Sequence, residues 1–232
     1  MTTMTTIPYY YIWTPNYKVL SDILKHGLSK YDTVFEDKSI FMEQSVFDDT
    51  MYKNPGHFLC GCFIKLEKTL ELLETLPENS YFVFSDADIL LIPNKSIKQM
   101  IDSYTSIDAD IVFMREAPDQ EVSNIGFSLL KVCDVNRELF RNVMKLSKEQ
   151  PTNLDQGLVN EALKQYTGKH YYFPTEYVMT SSTIIYHQRN RIPIHDIMVF
   201  QPLCNPSESK EKVMNAKLSQ YKMFGFPVEY FI

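Results

Sequence analysis

Residues Tyr81-Phe82-Val83-Phe84 form an apolar run with no polar alternation, and it stops abruptly at Ser85-Asp86-Ala87-Asp88. A strand that is apolar on both faces belongs at the centre of a sheet covered on both sides. The flanking sequence agrees. Tyr9 to Trp13 is a β-prone aromatic run, and Val19, Leu20, Ile23, Leu24 and Leu28 follow at helical spacing, with a helix start expected near Thr14-Pro15-Asn16. Asp32 to Phe35 reads as a short second strand, and Phe58 to Leu76 as a long helix stopped by Pro77. Ala109 to Met114 and Ile125 to Val132 read as strands, Asp134 to Leu146 and Asn153 to Tyr166 as helices. This alternation predicts a Rossmann-like α/β fold, a mainly parallel sheet with helices on both faces. After Tyr172-Phe173-Pro174 the pattern loosens, with Thr183 to Tyr186 read as a strand and Lys210 to Tyr221 as a helix.

The 232 residues suit a single α/β domain, and 44% hydrophobic with 22% charged residues supply an ordinary core. A formal charge of -6 disfavours nucleic acid as a partner, because that affinity rests on Lys and Arg neutralising phosphates. No apolar run is long enough to span a bilayer, and Met1 to Thr6 lacks the basic and apolar regions of a secretory signal. The expectation is a soluble, cytoplasmic protein without a membrane span. Cys60, Cys62, Cys133 and Cys204 are too sparse for a disulfide framework and read as reduced thiols.

Ligands of open α/β sheets bind beyond the carboxyl ends of the strands, where Asp86 and Asp88 stand. Carboxylates at i and i+2 in extended backbone point to the same side and can converge on one hard cation, Mn²⁺ or Mg²⁺. Such an ion would bind a diphosphate and stabilise its departure as a Lewis acid. Taken alone the pair serves equally well to end a strand and begin a turn.

The segment Tyr81 to Asp88 resembles the strand and Asp-x-Asp motif of GT-A fold glycosyltransferases. The resemblance continues in order: Ser123-Asn124-Ile125-Gly126-Phe127-Ser128 is similar to that fold's Asn-x-Gly strand, and Asn153-Leu154-Asp155-Gln156 to its Asp-Gln helix start. It implies a nucleotide-binding half over 1–123 and a sugar and acceptor half over 124–232. It also implies metal ligation by Asp86 and Asp88, and donor contacts from Asp86, Asn124 and Gly126. In the retaining branch Asp155 would bind sugar hydroxyls, with Gln156 near the anomeric carbon. Asn153 and Gln156 also read as a helix capping box, and Asn124 with Gly126 as a strand start with a bulge.

A third metal ligand in such enzymes is commonly a C-terminal His. His195 is the choice, because Ile192-Pro193-Ile194-His195 precedes the basic helix, with His187 as the alternative. The resemblance places Tyr11, Thr14 and Tyr17 at the nucleoside, and lets Lys65 reach a phosphate or lie solvated on its helix. The whole chain resembles the small glycosyltransferases of large algal viruses, which build capsid glycans. That implies a UDP-sugar donor such as UDP-glucose or UDP-L-rhamnose, a glycan or glycoprotein acceptor, and transfer with retention. Val83 to Asp88 is also similar to the two-aspartate strand of haloacid-dehalogenase phosphatases, although the motif stands late in the chain and no later acidic pair follows. A sugar-nucleotide-binding module without chemistry is the other alternative.

Overall fold

The computed structural model describes residues 6–43, 55–92, 96–150, 153–190, 197–202 and 210–230. Two elements set the frame. Strand β3 (Tyr81–Ser85) sends Val83 into one buried layer and Phe82 and Phe84 into the other, the two-sided burial its composition requires. Helix α1 (Lys18–Ser29) buries Leu20, Ile23, Leu24, Gly27 and Leu28, the i, i+3, i+4, i+7, i+8 stripe of a helix lying on a sheet. A short 3-10 turn at Pro15–Tyr17 precedes α1, so the helix begins a little later than Thr14-Pro15-Asn16 suggests.

A six-stranded sheet runs β2-β1-β3-β6-β5-β7. Its strands are β1 (Ile7–Trp13), β2 (Phe35–Phe41), β3, β5 (Ile111–Arg115), β6 (Ser123–Lys131) and β7 (His170–Tyr172). Pairings β1/β2, β1/β3 and β5/β7 are parallel, whereas β6 runs antiparallel to both β3 and β5. The sheet is therefore mainly parallel, as expected, with one reversed strand beside β3. Helices α1 and α3 (Ser96–Ser106) cover one face around Leu24, Leu28, Ile97 and Ile101. The other face carries α2 (Pro55–Thr75), α4 (Asp134–Glu149) and α5 (Asp155–Leu163), packed through Leu66, Leu73, Phe140, Val143 and Leu158.

The loosely patterned C-terminal third builds a second sheet, β4-β9-β8, from β4 (Leu90–Leu91), β8 (Val178–Thr180) and β9 (Val199–Gln201). It holds helices α6 (Ser181–Arg189) and α7 (Lys210–Lys222) against α1 through Met179, Ile184, Phe200, Leu218 and Tyr221. A Cβ on Gly27 would lie 2.9 Å from the Leu91 Cβ, so the absence of a side chain there lets α1 lie directly on β4.

Two readings are corrected. Thr183 to Tyr186 is helical, although its β-branched residues favour a strand. The Thr183 amide donates to Thr180 Oγ1 at 3.2 Å, and this N-cap, with burial of Thr183, Ile184 and His187 along one side, outweighs the propensity. Residues 32–34 form a turn, and the second strand starts only at Phe35 and continues through polar residues to Phe41. It is an edge strand held by backbone pairing along β1, which does not require an apolar sequence.

Candidate active site

The carboxyl end of β3 delivers Asp86 against β6. The Asp86 amide donates to the Gly126 carbonyl at 2.8 Å, extending the β3/β6 ladder by one residue. The β5/β6 register shifts between Phe113 and Met114, whose partners are Ser128 and Asn124, so β6 bulges over residues 125–127. The bulge exposes Gly126 to the crossing side chain of Gln201. A Cβ on Gly126 would lie 2.3 Å from that amide, so only glycine leaves it room. Gln201 Nε2 in turn donates to Asp86 Oδ2 at 2.7 Å. The other oxygen, Oδ1, receives the Lys65 ammonium at 2.6 Å, and the same ammonium donates to the Ile125 carbonyl at 2.7 Å. Lys65 thus points into the site and engages Asp86, rather than lying solvated on its helix.

Asp88, two residues on, is only 6% exposed. Its Oδ2 is bonded to the Lys217 ammonium, and Tyr221 Oη donates to its carbonyl at 2.5 Å. Lys217 and Tyr221 are one helical turn apart on α7 and grip the same residue. Burial pushes the Asp88 carboxyl up, and the neighbouring ammonium opposes that rise. Asp88 Oδ1 is buried and accepts no hydrogen bond among the described residues. An orphaned carboxylate oxygen beside a second carboxylate is a donor set suited to a hard cation such as Mn²⁺ or Mg²⁺.

A third acid, absent from the sequence reading, organises the rest. Glu116 directly follows β5, and its Oε2 accepts from Asn124 Nδ2 at 2.7 Å and from Gln156 Nε2 at 3.1 Å. Asn124 Oδ1 accepts from the Gly126 amide at 2.7 Å, so the Asn-x-Gly pair is locked internally while its amide group faces Glu116. Asn160 fastens α5 to the strand: its Nδ2 donates to the Ser123 carbonyl, and the Ser123 amide donates to its Oδ1, both at 2.8 Å. Gln156 is thereby held facing β6. The capping-box expectation fails, because Leu154 is the N-cap of α5, Asn153 bonds Gln150, and the Gln156 side chain goes to Glu116. In the first turn, Asp155 Oδ1 accepts from the Gln156 backbone amide at 2.9 Å.

The aromatic N-terminus divides. Tyr11 is fully buried in the core, and desolvation pushes its hydroxyl up to about 12, so its ring packs among core residues. Thr14, immediately after β1, is buried as well. Tyr17 is only partly buried, and its ring lies 5.9 Å from the Lys217 ammonium, which brings it toward Asp88. His187 is buried with Nδ1 unbonded, and among the described residues no three His, Cys, Asp or Glu side chains gather as a metal site. His195 lies outside the described residues. Cys133 is a free thiol, raised by burial. No helix of the described residues is long and apolar enough to cross a membrane.

No protein-family profile and no curated protein matches the chain. Solved structures do. A glycosyltransferase involved in glycosylation of the major capsid of PBCV-1 is 14% identical, with a TM-score of 0.56 over 91% of this chain and 100% of that one. The glycosyltransferase GlyE of Streptococcus pneumoniae TIGR4 is 9% identical, with a TM-score of 0.60 over 98% of this chain but only 62% of that one. The galactosyltransferase LgtC is 12% identical, with a TM-score of 0.56 over 92% of this chain and 96% of that one. The chain therefore has the GT-A glycosyltransferase fold, which these three structures share.

Proposed function

We propose that this chain is a metal-dependent glycosyltransferase that moves a sugar from a nucleotide diphosphate donor to a glycan hydroxyl. The observation that carries the reading is convergence at one end of the sheet. Asp86 and Asp88 follow β3, Asn124 and Gly126 stand on β6, and Gln156 lies in the first turn of α5, with Glu116 bonded to the side-chain amides of Asn124 and Gln156. This is a polar cluster of acceptors and donors next to a carboxylate pair suited to a cation. The fold shared with glycosyltransferases supports the same reading.

Asp86 and Asp88 would hold Mn²⁺ or Mg²⁺, joined by His195; when bound, the ion supplies charge neutralisation for the departing nucleotide diphosphate. The chain's own residues do the rest. Lys65 and Gln201 hold both oxygens of Asp86 and so set the orientation of that carboxylate. Gln156 presents its amide, and Asp155 and Glu116 their carboxylates, to the donor sugar from the α5 side of β6. If transfer retains configuration, the acceptor attacks from the face the diphosphate leaves, and the leaving phosphate takes its proton. If it inverts, Asp155 is the first candidate for the base. The donor is a UDP-sugar, with UDP-glucose and UDP-L-rhamnose the first to try.

The test is release of free nucleotide diphosphate from a panel of nucleotide sugars in the presence of Mn²⁺, repeated with Asp88→Ala. Release confined to one or two donors and lost in the variant supports the proposal. Absence of release from every donor, with phosphate freed from simple phosphomonoesters, would favour the phosphatase.

A further inference from the structure

The carboxylate pair already carries its own cations. Asp86 Oδ1 is matched by the Lys65 ammonium and Asp88 Oδ2 by the Lys217 ammonium, and the Lys217 and Asp88 side chains are 8% and 9% exposed. Lys217 is also positioned rigidly, because Tyr221, one turn along the same helix, is fully buried and bonds the Asp88 carbonyl. A divalent ion that uses Asp88 therefore meets a positive charge seated on the same carboxylate, in a place where solvent screens little.

We propose that Lys217 is a tethered internal counter-ion of Asp88 that competes with the divalent cation for this carboxylate and so weakens metal binding. The inference rests on the reading of Asp86 and Asp88 as the metal site. Its physical basis is twofold. The ammonium compensates a buried carboxylate that would otherwise be unpaired, so it stabilises the metal-free protein. The same contact occupies one Asp88 oxygen, so the ion must either displace the ammonium or bind beside it against direct repulsion. Lys217 is thus a positioning residue that sets the metal concentration at which the site fills.

The experiment measures Mn²⁺ binding to the nucleotide-free protein by electron paramagnetic resonance at neutral pH. Lys217→Gln is expected to bind Mn²⁺ about tenfold or more tightly than the unaltered protein. Lys222→Gln removes the same charge from an exposed position on the same helix, and is expected to stay within about twofold. Asp88→Asn should abolish the gain when combined with Lys217→Gln. Should Lys217→Gln be too unstable for titration, urea unfolding with and without Mn²⁺ replaces it, and the Mn²⁺-dependent rise in midpoint is expected to be larger for the variant. Equal or weaker Mn²⁺ binding by Lys217→Gln, in a protein whose binding Asp88→Asn weakens, overturns the role of Lys217. Mn²⁺ binding that Asp88→Asn leaves unchanged overturns the metal-site reading itself, and this inference with it.

Discussion

The side-chain amide of Gln201 passes over Gly126 to reach Asp86, Nε2 donating at 2.7 Å to Oδ2, in space that a single methyl group would fill. Gly126 thus serves the site by what it lacks. Gly126→Ala is expected to push Gln201 off Asp86 and to cost about 1–3 kcal/mol through overpacking. Adding Gln201→Ala should recover stability in the double variant without restoring donor turnover, and thermal denaturation beside a nucleotide-release assay separates the two. Equal costs in the single and double variants would mean that the two residues do not compete for this space.

Glu116 accepts from both Asn124 and Gln156, so its charge holds two amides toward one point. Glu116→Gln keeps the shape but removes the charge that both amide donors share and brings an N–H donor of its own among them. Nucleotide release is expected to fall about 100-fold, chiefly in kcat, with a midpoint of unfolding close to that of the parent. A variant with full kcat would show that Glu116 is only a spacer.

Tyr11 and Tyr17 sit six residues apart but in different surroundings, one fully buried and one at the site rim near Lys217. Tyr11→Phe should leave donor KM within about twofold, because its hydroxyl faces core. Tyr17→Ala should raise donor KM about three- to tenfold, the size of one lost aromatic contact. Reversed results would return the nucleoside contact to Tyr11.

His170 stacks edge-on against Tyr172 and Phe113 at the end of the sheet. Burial holds it below its ordinary value of 6.5, so the folded protein disfavours its protonated form. The unfolded chain binds the proton first as pH falls, and the stabilising contribution, fully present above 6.5, is lost on descending through the lower folded value. Melting temperature should therefore drop between neutral and mildly acidic pH, and His170→Asn should flatten that slope. An unchanged slope would assign the dependence to other groups.

Local sequence was enough to find the frame of the site. The apolar run Tyr81 to Phe84 had to be a covered central strand, and the aspartates after it had to stand at a strand's carboxyl end. Asn124, Gly126, Asp155 and Gln156 were singled out by the resemblance of two segments to GT-A motifs in the same order, and the structure holds Asn124 and Gln156 on one carboxylate. The partners that complete the cluster left no local trace. Gln201 lies 115 residues from Asp86, and Lys217 lies 129 residues from Asp88.

Sequence by itself determined which segments bury both faces, and hence the layered α/β sheet, because periodicity and side-chain polarity are properties of neighbouring residues. Tertiary structure alone decided the reversed β6 and its bulge, the helical fate of Thr183 to Tyr186, the burial of Tyr11, and the pairing of Asp88 with Lys217. Each of these depends on which distant side chain or backbone arrives at a given place. A carboxylate, glycine or tyrosine carries no mark of that arrival until the sheet closes and fixes its neighbours.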